Sequence, residues 1–244
     1  MRIGIIGYGK MGKAIEQIAL QRNHIVTVIV DLENKDSIAD QLKGNVDVAI
    51  EFTTPDSAKN NIFDCASAGI PIVSGTTGWK IDENQIKQIC QDNNSSVFYA
   101  SNYNIGVNIF MEINEKLADL LSDFASYDAC IEETHHIHKL DKPSGTAISL
   151  AKGIFKNNTK YVNFELKPVT DKRNLEIESF REGEIIGDHK IIWESEIDKI
   201  TLEHNAKDRA GFAIGAVLAA EFLMNKKSGY FTMRDLLKLQ NNGK

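Results

Sequence analysis

Cysteine, long apolar runs and excess positive charge are all scarce in this chain, and each shortage excludes a class of protein. The three cysteines, Cys65, Cys90 and Cys130, are isolated and odd in number. That rules out a disulfide framework and predicts reduced thiols in a cytoplasmic protein. No apolar run approaches the roughly 20 residues of a membrane helix. Met1-Arg2-Ile3-Gly4 enters a strand pattern directly, without the architecture of a secretion signal. The 28 basic and 34 acidic residues leave a net charge of −6, which argues against a broad nucleic-acid face. What remains is an ordinary globular composition, 42% hydrophobic and 25% charged, over 244 residues. That length suits one large domain or two modest ones.

The densest group of chemically active side chains lies between Ile131 and Ala147. Three of the six histidines, His135, His136 and His138, fall within four residues, and Lys139 follows at once. Asp141, Lys142 and Pro143 then lead into Ser144-Gly145-Thr146, which opens an apolar-periodic segment. A serine at such a junction caps a helix, and the exposed N–H groups of the first turn form an anion site. Proton-transfer groups and an anion cradle, about ten residues apart, suit an enzyme acting on a small carboxylate. A bound metal is the competing reading. The HHxH spacing lacks the i, i+4 pair of a helical two-histidine site and no paired cysteine lies nearby, so no metal is expected.

The N-terminal part follows a different plan. Residues 2–6 form a short apolar run ending in Gly7-Tyr8-Gly9-Lys10-Met11-Gly12, after which Ala14, Ile15, Ile18 and Ala19 recur at helical spacing. Strand, glycine turn and helix, in that order, are the context that turns G-x-G-x-x-G into a dinucleotide-binding fingerprint. The next strand, 25–30, delivers Asp31, nineteen residues beyond Gly12, where an acid accepts hydrogen bonds from the adenosine ribose. Strands at 46–52, 71–74 and 97–100 alternate with helices at 53–68 and 82–91. Gly75-Thr76-Thr77-Gly78 and Ser101-Asn102-Tyr103-Asn104 follow the last two strands, on the edge where ligands of doubly wound sheets bind. The pattern predicts an α/β fold with an N-terminal Rossmann domain.

After a long helix at 105–121 the character changes. A strand at 129–133 enters the histidine cluster and a helix through 148–155 leaves it. Residues 161–203 read as strands with no helices between them and with turns at 181–183 and 187–189. They predict a C-terminal α+β domain with an open mixed sheet. Helices at 212–224 and 231–239 close the chain against the first domain. The expected plan is therefore 1–103 with 212–244 for the dinucleotide, and 104–211 for substrate and oligomerisation.

With these motifs the chain resembles the 4-hydroxy-tetrahydrodipicolinate reductase (dihydrodipicolinate reductase) family of bacterial lysine and diaminopimelate synthesis, over nearly its whole length. The resemblance runs through Gly7–Gly12, Glu51-Phe52-Thr53, Gly75–Trp79, Asn102–Asn108, His135–Lys139, Pro143–Ala147, Arg181-Glu182-Gly183 and Phe212–Ala216. It implies an oxidoreductase that reduces 4-hydroxy-tetrahydrodipicolinate, a small dicarboxylate imine, with NADH or NADPH. Gly7, Tyr8, Gly9, Lys10, Met11, Gly12, Asp31, Gly75, Thr76, Thr77, Ala100, Ser101, Asn102 and Tyr103 would hold the cofactor. His135 would be the proton donor and acceptor and Lys139 a proton donor, while His136, Gly145 and Thr146 would grip the substrate. It also implies a homotetramer built through the β-rich domain, with no nucleic-acid or membrane partner. Leu32 stands where the family commonly has a basic residue, so NADH is expected to be preferred, with Lys10 and Lys35 as a partial offset for NADPH. Two other readings share the fold: a catalytically silent NAD sensor, and another amino-acid-type dehydrogenase such as an aspartate dehydrogenase-like enzyme. A sensor has no use for His135 and Lys139, and the second differs in its substrate.

Overall fold

The computed structural model describes residues 1–34, 37–80 and 82–239; Lys35 lies outside them. In chain order the elements are β1 (Arg2–Ile6), α1 (Lys10–Gln21), β2 (Ile25–Val30), α2 (Ile38–Leu42), β3 (Val48–Glu51), α3 (Pro55–Ser67), β4 (Ile72–Ser74), α4 (Glu83–Asp92) and β5 (Ser96–Tyr99). There follow α5 (Ile105–Leu120), β6 (Asp128–His135), α6 (Gly145–Asn157), β7 (Asn163–Leu166), β8 (Asn174–Arg181), β9 (Asp188–Glu194) and β10 (Lys199–Asn205). The chain ends with α7 (Ala210–Leu223), β11 (Gly229–Phe231) and α8 (Met233–Leu236). Two compact units result, Met1–Ile105 with Ala210–Lys244, and Gly106–Arg209. The boundaries expected at 103/104 and 211/212 lie within two residues of these.

The first unit holds a six-stranded parallel sheet in the order β11-β5-β4-β3-β1-β2. Its strands read as unbroken apolar runs because both faces are covered. Ile3, Ile5, Val48, Ile50 and Phe98 pack with α1 and α7, whereas Ala49, Ile72 and Val97 pack with α2, α3 and α4. Helix α7 comes close enough that a Cβ on Gly215 would stand 1.8 Å from the Tyr103 carbonyl oxygen. The chain's direction of winding reverses between β1 and β3, which opens a crevice at their carboxyl ends.

Two elements differ from the sequence expectation here. Tyr230 and Phe231 extend the sheet as β11, paired with Val97 and Phe98, so Phe231 ends a strand instead of starting a helix. Aromatic residues favour such a half-buried pleated surface. Helix α8 begins only after Thr232, whose backbone N–H donates to Asp235 Oδ2 at 2.7 Å in a capping box. Helix α2, five residues long, was too short to register as a periodicity.

The second unit is a five-stranded mixed sheet in the order β10-β9-β6-β8-β7. Strand β6 pairs in parallel with β8 and antiparallel with β9. Helices α5 and α6 supply Phe110, Ala118, Leu150 and Ile154 to a core shared with Ile131, Ile177, Ile191 and Trp193. Each fully buried isoleucine contributes about 1.5–3 kcal/mol. On β6 the buried positions alternate: Ala129, Ile131, Glu133 and His135. An acid and a histidine therefore take the last two places of an otherwise apolar series. His189, expected in a turn, is instead the second residue of β9, which starts at Asp188.

Candidate active site

In the first unit the crevice between β1 and β3 is a cleft of about 540 Å³, with Gly7, Gly9, Asp31, Leu32, Thr53 and Thr54 among its lining residues. The three motif glycines have different physical reasons. Gly7 has φ of +89° and a Cβ there would fall 2.2 Å from the Phe52 carbonyl oxygen, and one on Gly12 would fall 2.3 Å from the Gly7 carbonyl oxygen. Folding itself requires those two. A Cβ on Gly9 meets nothing within 4 Å. Gly9 is also the N-cap of α1, where no side chain caps the helix. The first-turn N–H groups, with the positive end of the helix dipole, are thus presented bare beside the crevice. The residues present fit a pyrophosphate there.

Other sequence-expected cofactor residues lie outside this cleft. Tyr8 donates to Glu16, while Lys10 and Met11 sit on the first turn of α1. Gly75, Thr76 and Thr77 follow β4, and Ala100, Ser101, Asn102 and Tyr103 follow β5. All fall on the same carboxyl edge of the sheet, but several are committed inside the protein. A Cβ on Gly75 would strike the Phe52 ring at 2.2 Å. The Thr76 hydroxyl donates to Glu51 at 2.8 Å and accepts from the Thr53 N–H at 2.8 Å. Tyr103 is 2% exposed and its hydroxyl donates to the Ser74 carbonyl at 2.7 Å. Its side chain is thus turned into the protein. Ser101 and Thr77 are exposed, and the Asn102 side chain accepts from the Asn104 N–H at 2.9 Å.

Sequence reasoning assigned no role to the organiser of this edge, Glu51. This fully buried carboxylate accepts from the Ser74, Thr53 and Thr76 hydroxyls and from the Thr53 N–H. It ties the loop after β3 to the loop after β4. A buried charge persists only when satisfied in this way.

In the second unit strand register builds the site. Glu133 stands opposite His189 on β9, and His135 stands opposite Arg181 on β8. His135 Nδ1 lies 2.5 Å from Glu133 Oε2. The ring is not aligned for an ideal hydrogen bond, and His135 Nδ1 has no other partner among the described residues. Arg181 Nη1 donates to Glu133 Oε1 at 3.1 Å, and its Nε and Nη2 reach the carbonyls of Lys139 and Asp141. One guanidinium therefore holds both the buried acid and the loop that carries Lys139. Burial pushes the Glu133 carboxyl up, but His135, Ser179 and Arg181 outweigh it and bring it down to about 2. The charge is kept.

His189 is the opposite case. Burial, helped by the neighbouring His135, lowers it to about 4, so its ring is neutral. It stands edge-on to His135 with ring centres 5.1 Å apart, and its Nε2 lies 3.2 Å from Ser144 Oγ. Ser144 also accepts from the Ala147 N–H at 3.2 Å and so caps α6. His189 thereby links His135 to the start of α6. Gly145 follows that cap, exposed, and a Cβ there would meet nothing within 4 Å. Thr146 is half-buried beside it. Lys139 pairs with Asp141 at 2.8 Å, and His138 pairs with Glu184 on the surface. His136 is half-buried; loss of hydration and then the charge of Arg209 lower its pKa.

Glu133, His135 and His189 present ligand atoms within 4.8 Å of one another. In that group Arg181 already neutralises Glu133 through Oε1, and His135 Nδ1 already sits against Oε2, so its charges are balanced within the chain. The roles of Glu133, Arg181 and His189 escaped sequence reasoning. Glu133 had one readable signal, its place two residues before His135 on a strand whose alternate residues are apolar. His189 had none, because it reaches the site through antiparallel pairing.

A dinucleotide crevice in one unit, with a buried carboxylate–histidine pair beside a helix-start cradle in the other, defines a pyridine-nucleotide oxidoreductase with an anionic substrate. Residues 1–103 match the family model of the dihydrodipicolinate reductase N-terminus, and residues 106–237 match that of its C-terminus. The chain is 44% identical over 239 residues to a 4-hydroxy-tetrahydrodipicolinate reductase of Christiangramia forsetii, covering 97% of this chain and 98% of the relative. A second relative of that name, from Thermosipho africanus, is 35% identical and covers 98% of each chain. The fold matches that of a dipicolinate-bound dihydrodipicolinate reductase from Paenisporosarcina, with a TM-score of 0.75, 23% identity and coverage of 95% and 97%. The chain belongs to the dihydrodipicolinate reductase family. Among the described residues no helix is long and apolar enough to cross a membrane.

Proposed function

We propose that the chain reduces 4-hydroxy-tetrahydrodipicolinate to tetrahydrodipicolinate in lysine and diaminopimelate synthesis, as a cytoplasmic homotetramer that prefers NADH. One observation carries the reading. The buried Glu133–His135 pair is joined through His189 and Ser144 to a helix start whose glycine has no steric reason of its own.

The dihydronicotinamide, when bound, supplies a hydride. The ring hydroxyl of the substrate leaves as water, which takes up a proton, and charge on the ring nitrogen changes as hydride arrives. His135 or Lys139 provides the proton that departs with the water, and solvent restores it to the donor. Lys139 sits partly buried on the loop held by Arg181, so its ammonium is positioned by the same guanidinium that pins Glu133. The N–H groups of Gly145 and Thr146 and the Thr146 hydroxyl take one substrate carboxylate, and His136 adds a donor. Gly7, Gly9 and Asp31 hold pyrophosphate and adenosine ribose. The cleft supports NADH over NADPH: Asp31, Asp56 and Asp64 line it, and no basic residue does among those described.

Loss of dihydronicotinamide absorbance on adding enzymatically generated 4-hydroxy-tetrahydrodipicolinate tests the proposal. Stoichiometric oxidation supports it. No oxidation with this substrate, but oxidation with another imino acid, would replace it with the amino-acid dehydrogenase reading.

A further inference from the structure

We infer that Glu133 is a positioning residue for His135, holding the proton on Nδ1 so that Nε2 is the nitrogen that exchanges protons with the substrate. The inference rests on the proposed reduction and adds a named orienting partner to its acid.

The geometry leaves Glu133 little freedom. It is 1% exposed, its Oε1 is taken by Arg181, and its Oε2 faces His135 Nδ1 at 2.5 Å. Nδ1 is buried and makes no aligned hydrogen bond among the described residues, and Glu133 Oε2, 2.5 Å away, is the polar atom beside it, so a turn of the ring brings an Nδ1 proton onto that carboxylate. The other ring nitrogen is treated differently. A Cβ on Gly187 would come within 2.9 Å of Nε2, so a glycine at that position keeps Nε2 clear. A carboxylate accepts from Nδ1–H whether the ring is neutral or doubly protonated, which confines proton exchange to Nε2. The groups facing His135 are Glu133 on β6, Arg181 on β8 and His189 on β9, with His136 next in the chain.

Arg181 makes one substitution decisive. A guanidinium only donates, so in Glu133→Gln the amide oxygen must face Arg181 and the NH2 must face Nδ1. Nδ1 then has to accept, and the lone ring proton moves to Nε2. The shape is preserved while the tautomer is reversed.

The test is nitrogen NMR of the histidine rings in the resting enzyme, with the His135 signals identified by their loss in His135→Gln. We expect protonated Nδ1 in the native enzyme and protonated Nε2 in Glu133→Gln. In steady state, Glu133→Gln should lose about 100-fold or more in kcat while substrate KM stays within about two-fold. Glu133→Asp, which keeps an acceptor, should restore the native tautomer and part of the rate. An unchanged tautomer in Glu133→Gln overturns the inference, and so does full activity. Protonated Nε2 with bare Nδ1 in the folded native enzyme overturns it as well, whether or not either variant folds, and would make Glu133 a purely structural partner of Arg181. If the native enzyme fails to reduce the dicarboxylate, the functional proposal falls, yet the tautomer, read without substrate, still decides this inference.

Discussion

His189 makes stability depend on pH in a way that can be worked out beforehand. Its ring is 5% exposed and titrates in the folded protein near 4, against about 6.5 in an unfolded chain. Between those values the unfolded chain takes up a proton that the folded one refuses. The stabilisation is therefore complete above about pH 6.5 and is lost as pH falls towards 4. A difference of about 2.5 units corresponds to about 3 kcal/mol, an order-of-magnitude figure. Glu133 behaves as a depressed carboxylate: its share is present above about pH 4.5 and is lost only as pH falls towards 2. The two windows barely overlap. Urea unfolding at pH values from about 7.5 to 4.5, compared between native enzyme and His189→Gln, isolates the histidine. Trp193, fully buried on the same strand, reports the second unit once Trp79 is replaced by Phe. The native protein should lose about 2–3 kcal/mol more than the variant across this range. Parallel curves would refute the reasoning and mean that His189 accepts its proton in the fold.

Other consequences follow from the glycines and the cleft. Gly9→Ala should leave the melting temperature unchanged and weaken NADH binding about ten-fold or more, whereas Gly12→Ala, whose Cβ meets the Gly7 carbonyl at 2.3 Å, should fail to fold stably; a melt and a fluorescence titration separate the two. Gly145→Val should fold and bind NADH, yet lose binding of pyridine-2,6-dicarboxylate, and Thr146→Val should raise substrate KM severalfold. Unchanged dicarboxylate affinity in folded Gly145→Val would return that turn to helix capping alone. Asp31→Asn should raise the ratio of NADPH to NADH kcat/KM by about ten-fold, because it removes a negative charge from the place of the 2′-phosphate; an unmoved ratio would count against the placement of Asp31.

The sequence carried the first unit well because its signals are local. A run such as Val48–Glu51 or Ile72–Ser74, followed by glycines or a proline, is legible without knowing what it packs against. Pro55 and Ser144 mark helix starts for reasons internal to a few residues. Strand β11 was not legible, since its three residues gain their partner only when they reach β5 from the far end of the chain. The site divides in the same way. His135, Lys139 and the Ser144–Thr146 turn stand out in sequence because they are crowded together. Arg181 and His189 act at positions fixed by pairing across β6, β8 and β9, and no spacing along the chain encodes that. Glu51 looked like the end of an apolar strand, and only burial and four accepted hydrogen bonds reveal its function.

The central claim is that His135 and Lys139 supply the proton that reduction requires, and single substitutions test it most directly. The rate of dihydronicotinamide oxidation at saturating 4-hydroxy-tetrahydrodipicolinate should fall about 100-fold or more in both His135→Gln and Lys139→Ala, with NADH affinity within about two-fold of the native value. Native turnover in either variant would contradict the account.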